Sequence, residues 1–222
     1  FEAYCRANPR PCPLLERLGP GEALTRRLAV GADLRTDLPL YHVHLADGTI
    51  EEVPDVRCWW RDDLVAMLVG CSFSFEEALT RAGLPPRHVT EGGNVPMYRT
   101  SRETTPVGPF GGKLVVSMRP VPAERVSEAY EATAPFEQVH GAPIHHGDPS
   151  ALGIADLARP DWGDAVTVGE DEVPVFWACG VTSQVALEAA LRSGRVDLAI
   201  THAPGHMFIA DVLNADFARG ED

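Results

Sequence analysis

The last third of this chain alternates strand, helix and strand, and that alternation limits the folds open to it. Val173–Ala178 (VPVFWA) is an apolar run of the kind a buried strand shows. Thr182–Arg192 carries helical spacing and is closed by Gly194, and Leu198–Thr201 (LAIT) returns to a strand. The strand Leu114–Met118 (LVVSM) and the helix Pro122–Thr133, with proline at its start, precede them. Such alternation predicts a layered α/β architecture with a largely parallel or mixed sheet. The 222 residues suffice for one compact α/β unit, and a smaller inserted α+β subdomain over about 94–160 is compatible with the pattern.

The first half reads less regularly. Phe1–Arg6 looks like the tail of a helix, ended by the proline-rich Asn8–Pro13. Tyr41–Val53 alternates apolar and polar residues around Asp47-Gly48, a hairpin signal. Asp62–Val69 has a helical pattern. Ser74–Ala82 predicts a second helix, opened by a capping box (Ser74-Phe75-Glu76-Glu77) and closed by Gly83 and Pro85. Thr90–Gly112, rich in Gly, Pro, Thr and Asn, predicts a long loop.

Composition removes several function classes. A formal charge of −13 leaves no basic face for nucleic-acid phosphates. No apolar stretch reaches the ~20 residues that span a bilayer. Five scattered cysteines without a C-x-x-C pair point to a reducing compartment rather than to a disulfide framework or a cysteine zinc site. The one lysine, Lys113, sits at a strand start, against Schiff-base chemistry, and neither G-x-G-x-x-G nor a P-loop is present. No cofactor is expected. The chain opens at Phe1 rather than methionine, so a preceding segment is expected.

Two cysteines share one local setting. Cys179 follows the strand Val173–Ala178 and precedes Gly180 and a helix; Cys71 follows Leu64–Val69 and lies three residues before Ser74. A thiol ahead of a helix start meets amide donors and the positive dipole end, which favour the thiolate. The dipole supplies ~1 kcal/mol, less than one pKa unit, so histidine or arginine must assist. The competing reading is two small buried core residues.

Three strands end at Arg119, Cys179 and His202, which would meet on one rim if they shared a parallel sheet. Arg119, and second Arg99, suit capture of a substrate carboxylate. Asn94 and Tyr98 offer neutral donors, Ser72 a hydroxyl beside Cys71, and the amides of Gly180 to Thr182 an oxyanion site. His202 and His206 are four apart, but Pro204-Gly205 between them excludes a regular helix and the zinc-protease pattern. They serve either a shared proton-transfer role or one packed and one exposed position. His140, His145, His146 and Asp148 form either a His/Asp metal or proton-transfer cluster or a loop satisfying its own backbone.

The segments CSFSFEEAL (71–79), NVPMYRT (94–100), VVSMRP (115–120), HGAPIHHGDP (140–149), VPVFWACGVTSQ (173–184) and ITHAPGHMF (200–208) resemble the D-glutamate cyclase family. PRPCPLLE (9–16) and DLRTDLPLY (33–41) extend the resemblance over nearly the whole chain, with departures at Arg27 to Gly31 and in the acidic tail Asp216–Asp222. The resemblance implies a cytosolic α/β lyase converting D-glutamate to 5-oxo-D-proline and water. It assigns no residue roles. From the residues themselves, Cys179, Cys71, His202 and His206 are the catalytic candidates. Arg119, Arg99, Asn94, Tyr98, Ser72, His140, His145, Asp148, Gly180 and Thr182 are candidates for binding a small acidic substrate. The alternatives are a cofactor-independent two-cysteine racemase or epimerase, and a non-catalytic binding protein for small amino or oxo acids. A homo-oligomer is compatible with all three.

Overall fold

A computed structural model describes residues 1–218, so part of the acidic tail, 219–222, lies outside the described residues. In chain order the elements are α1 (Glu2–Ala7), β1 (Leu14–Pro20), β2 (Tyr41–Leu45), β3 (Ile50–Val53), β4 (Val65–Val69), α2 (Glu76–Arg81), α3 (Arg87–Glu91), β5 (Met97–Glu103), β6 (Lys113–Pro122), α4 (Val126–Thr133), β7 (His145–His146), β8 (Glu172–Ala178), α5 (Val181–Arg192) and β9 (Leu198–His202). Short 3-10 turns join them, among them Ser72–Phe75 ahead of α2.

The strands make three sheets, ordered β1-β4, β3-β2-β9 and β5-β6-β8-β7. Helices and sheets are mixed, as α/β patterning requires, but the expectation of parallel pairing is corrected. Every pairing between these strands is antiparallel. The reason lies in the β8–α5–β9 unit. A crossover helix returns the chain to the same sheet in a parallel fold, whereas α5 carries it from the four-stranded sheet to the three-stranded one, where β9 runs against β2.

Other local readings also change. Asp62–Val69 is not helical: its apolar run forms β4, paired with β1, since a short apolar run carries no decisive period. The supposed loop Thr90–Gly112 contains β5 and the end of α3. β6 runs past Arg119 to Pro122, because Pro120 stands opposite Pro174 on β8. Neither proline has an N–H to donate, so the pair fits a non-hydrogen-bonded position of the antiparallel ladder. The hairpin forms as read, with Gly48 at φ 88. Ser74 forms no capping box; α2 starts at Glu76 with no side-chain cap, and Glu76 turns inward instead.

Strand periodicity sorts β6 and β8 into two faces. Ser117, Arg119 and Val121 pair with Trp177, Val175 and Val173 on one face. That face packs under Phe75, Leu79, Ala129, Phe136 and Val139, from the 72–75 turn, α2, α4 and the segment after α4. Val116, Met118 and Phe176 point the other way, against Tyr98, Leu152 and Ile154. The first face carries the polar centre described next.

Candidate active site

Arg119 is placed by this parity in the middle of a buried sheet, 2% exposed. Its guanidinium lies 5.1 Å from the Phe75 ring centroid and 5.3 Å from that of Trp177. Nε donates to Glu76 Oε1 at 3.0 Å, and Nη2 forms a shorter ion pair with the same oxygen. Nη1 donates to Ser117 Oγ at 3.0 Å and Nη2 to Ser72 Oγ at 3.1 Å. Burial alone would raise the Glu76 carboxyl, but Arg119 and His88, whose Nε2 lies 3.4 Å away, outweigh it and hold the pKa below the usual carboxylate value. Arg119 is therefore engaged. A clamp on substrate carboxylate would have to displace Glu76, and the geometry instead makes Arg119 a brace for Ser72 and the Cys71 turn.

The two cysteines do occupy matching strand–turn–helix settings, and they stand close enough that charge on Cys71 would act on Cys179. Amide groups of Phe73 and Ser72 point at the Cys71 sulfur, and that of Val181 at Cys179. Those donors and Arg119 favour thiolates, but burial outweighs them. It pushes Cys179 up to about 12 and raises Cys71 as well, so both are neutral thiols near pH 7. Cys179 and Ser72 are buried, while Cys71 and Gly180 keep partial exposure and form the outer side of the centre.

Other candidates lie elsewhere. His202 ends β9 in a different sheet, with Nδ1 donating to the Ala203 carbonyl at 2.8 Å; burial lowers its pKa, and His42 and His206 nearby act in the same direction. His206 donates to the Pro204 carbonyl. Tyr98 faces away from Arg119, giving its hydroxyl to the Leu157 carbonyl at 2.8 Å. Arg99 stacks over Trp162 at 5.1 Å, and Asn94 Oδ1 accepts from the Val95 amide. His145 stacks on Phe176 on the opposite sheet face and donates to the Asp148 carbonyl; His146 meets the Tyr130 hydroxyl; Asp148 caps Ser150. These groups turn to separate partners. Among the described residues no group of three or more His, Cys, Asp or Glu is placed to hold one. The Thr182 amide binds the Cys179 carbonyl at 3.1 Å, and its hydroxyl the Val115 amide at 3.0 Å, so it locks α5 to β6 rather than offering an oxyanion donor.

The imidazole beside Gly70 and Gly180, the glycines next to the two thiols, is His140, 1% exposed. Its Nδ1 donates to the Arg10 carbonyl at 2.7 Å. A Cβ built on Gly180 would lie 3.9 Å from its Nε2 and 3.4 Å from the Gly70 carbonyl oxygen. Burial lowers its pKa to about 4. Gly70 itself has room for no side chain: a Cβ there would come within 2.8 Å of the Gln138 carbonyl. Glu76, Ser117 and His88 escaped sequence reasoning. For Ser117 a signal exists, a lone hydroxyl two residues before Arg119 in an apolar strand, and so on the same face. Cavities of about 380 Å³ (beside Cys5, Arg6, Pro9 and Leu14) and 310 Å³ (between Arg87, Pro120 and Glu172) are lined by none of Cys71, Arg119, His140 or Cys179.

Comparison with known proteins gives this buried centre a context. A family profile described as D-glutamate cyclase matches residues 65–211. A Bordetella pertussis protein is 53% identical over 98% of this chain and 77% of its own length. A Stutzerimonas stutzeri protein is 54% identical over 96% and 78%, and one from Rubrobacter xylanophilus 55% identical over 98% and 82%. Each of the three bears the name "Putative hydro-lyase". These matches define a lyase. The chain belongs to the D-glutamate cyclase family.

Proposed function

We propose that this protein is a hydro-lyase acting on a small acidic amino acid, with D-glutamate as substrate and 5-oxo-D-proline and water as products. The observation that carries the reading is the meeting of two neutral thiols and a neutral imidazole in one buried, polar centre. In the reaction the substrate nitrogen bonds to the side-chain carboxyl carbon and one carbon–oxygen bond of that carboxyl breaks. The ammonium gives up two protons, and the departing oxygen takes up two to leave as water. Neutral thiols suit the acid side of this exchange, since Cys71 and Cys179 can donate to the departing oxygen. Protons and one carbon–oxygen bond are all that move, so no redox cofactor is called for. All five cysteines are free, which accords with a reducing compartment such as the cytoplasm. No helix among the described residues is long and apolar enough to cross a membrane.

Incubation with D-glutamate, with and without chelator, tests the reading by mass spectrometry. Loss of water with ring formation is expected, abolished in Cys179→Ser. Unchanged turnover in that variant would remove the thiol from the scheme. The pairing of two thiols at matching strand-to-helix turns also favours a second reading, racemisation by proton exchange at the α-carbon. Deuterium uptake at that carbon in D2O without loss of water would select it.

A further inference from the structure

His140 is the one buried polar side chain among the described residues whose ring nitrogen, Nε2, has no hydrogen-bond partner. Leaving such a group unpaired costs about 1–3 kcal/mol, so its presence asks for a reason. The backbone compounds the cost: His140 is the sole non-glycine among the described residues with positive φ, at 89°, a conformation that adds on the order of 1–3 kcal/mol. Both are held in place deliberately. Because the Arg10 carbonyl can only accept, Nδ1 must carry the hydrogen, and Nε2 therefore presents a lone pair. The Arg10 side chain also grips the Ala142 carbonyl, two residues on, fixing the loop from its other side.

The glycines next to each thiol bring the imidazole edge and a carbonyl together. A Cβ built on Gly180, which follows Cys179, would lie 3.9 Å from Nε2 and 3.4 Å from the carbonyl oxygen of Gly70, which precedes Cys71. Two acceptors thus converge where a group rich in N–H donors would satisfy both. The charges acting on the ring are the guanidiniums of Arg119 and Arg10, and both oppose a protonated imidazole. The ring is consequently neutral when substrate arrives. Once protonated, it is met by the Gly70 carbonyl, which favours the charged form.

We propose that His140 is a catalytic residue that binds the substrate ammonium at Nε2 and takes its proton, with the Gly70 carbonyl receiving a second N–H of the same group. One N–H bond breaks, an Nε2–H bond forms, and the electron pair left on nitrogen bonds to the side-chain carboxyl carbon. The imidazolium returns that proton to a carboxyl oxygen; the carbon–oxygen bond breaks as the same oxygen takes a second proton from a thiol, which the nitrogen's second proton restores, so water leaves and ring and thiol end as they began. The assignment rests on the hydro-lyase reading above. It replaces His202, which ends β9 in another sheet, and His206, in the irregular segment that follows, as the proton carrier.

The test pairs a variant with a spectroscopic signal. His140→Asn keeps a donor for the Arg10 carbonyl and tolerates positive φ, but places no lone pair at the Nε2 position; His140→Gln serves if the first does not fold. With D-glutamate as probe, a loss of kcat/KM of at least about 100-fold is expected at unchanged thermal stability. In wild-type protein the 15N resonance of His140 Nε2 should move toward the protonated position when D-glutamate is added. Water loss from D-glutamate with an unmoved resonance, or with a His140→Asn enzyme within threefold of wild type, overturns the assignment while the hydro-lyase reading stands. A resonance that moves without water loss overturns the reaction and leaves the ammonium contact in place.

Discussion

Removing the Glu76 carboxylate should destabilise the protein more than any surface substitution, and the size can be worked from the site. Arg119 and Glu76 have side-chain exposures of 2% and 13%, so solvent screens the pair little. Breaking such a pair by deleting one partner costs ~3–5 kcal/mol, mostly because the other charge stays buried. In Glu76→Ala the guanidinium keeps Ser72, Ser117 and the faces of Phe75 and Trp177, which places the loss near the lower end, ~3 kcal/mol. For a chain of 222 residues that is a fall in Tm of roughly 6–12 °C. Arg119→Met in the same background removes the stranded charge and fills its volume, so the double variant should recover part of the loss. Urea unfolding of wild type, both single variants and the double variant measures the cycle. A cost for Glu76→Ala below ~1 kcal/mol, the range of exposed pairs, or losses that simply add, would refute the view of Glu76 and Arg119 as one buried unit.

Acid should weaken the fold in two stages. The unfolded chain binds a proton on His140 near the ordinary 6.5, whereas the folded pKa is about 4, so stability falls as pH drops between these values by an amount on the order of 3 kcal/mol. His44 and His202, both lowered by burial, act in the same direction. Glu76 contributes stability that is present above 4.5 and lost as pH falls through its lowered folded value. His140→Asn should flatten the first stage and leave the second; urea midpoints across pH 3–8 would expose a failure if the two profiles coincide. Gly180→Ala adds a methyl in ordinary contact distance, 3.4 Å from the Gly70 oxygen and 3.9 Å from His140 Nε2, at an unstrained φ of −60. It should fold normally yet lose at least about tenfold in activity, because the methyl takes up space beside Nε2 and the Gly70 oxygen. Full activity would show that substrate approaches from elsewhere. Finally, iodoacetamide at neutral pH should modify exposed Cys58 well before Cys71 or Cys179, whose pKa values burial raises; rapid labelling of Cys179 in peptide mapping would contradict its neutral state.

What the sequence disclosed was local. The turns after Val69 and Ala178 are legible because a thiol, a small residue and a helix start are neighbours in the chain, and the amides that reach each sulfur lie within two residues of it. Pairing was not legible. Whether α5 returns its chain to the same sheet depends on β2, some 150 residues earlier, which pairs β9 edge to edge. That long-range choice separates His202 from Arg119. The partner of Arg119 was hidden for a related reason: Glu76 carries the signature of a capping residue, and only the fold reveals that its carboxylate turns inward to a cation 43 residues away. His140 was visible as one of several histidines in an irregular segment. What sets it apart from His145 and His146, an acceptor supplied by Arg10, comes from 130 residues earlier in the chain.

The stretch from Arg10 to Pro13 runs beside the centre, with Cys12 near enough for charge on Cys179 to act on it, and two of its carbonyls set the positions of both banks. Arg10 fixes the tautomer of His140, and Pro13 receives the Gly70 amide at 2.9 Å. It lies outside residues 65–211, the span matched by the family profile. A recombinant fragment trimmed to that span would retain every group that could donate or accept a proton, but with the imidazole free to rotate and to swap its hydrogen between nitrogens. Chemistry and scaffolding are thus divided along the polypeptide, and excision of the short leading strap should disarm a centre whose reactive members are all still present.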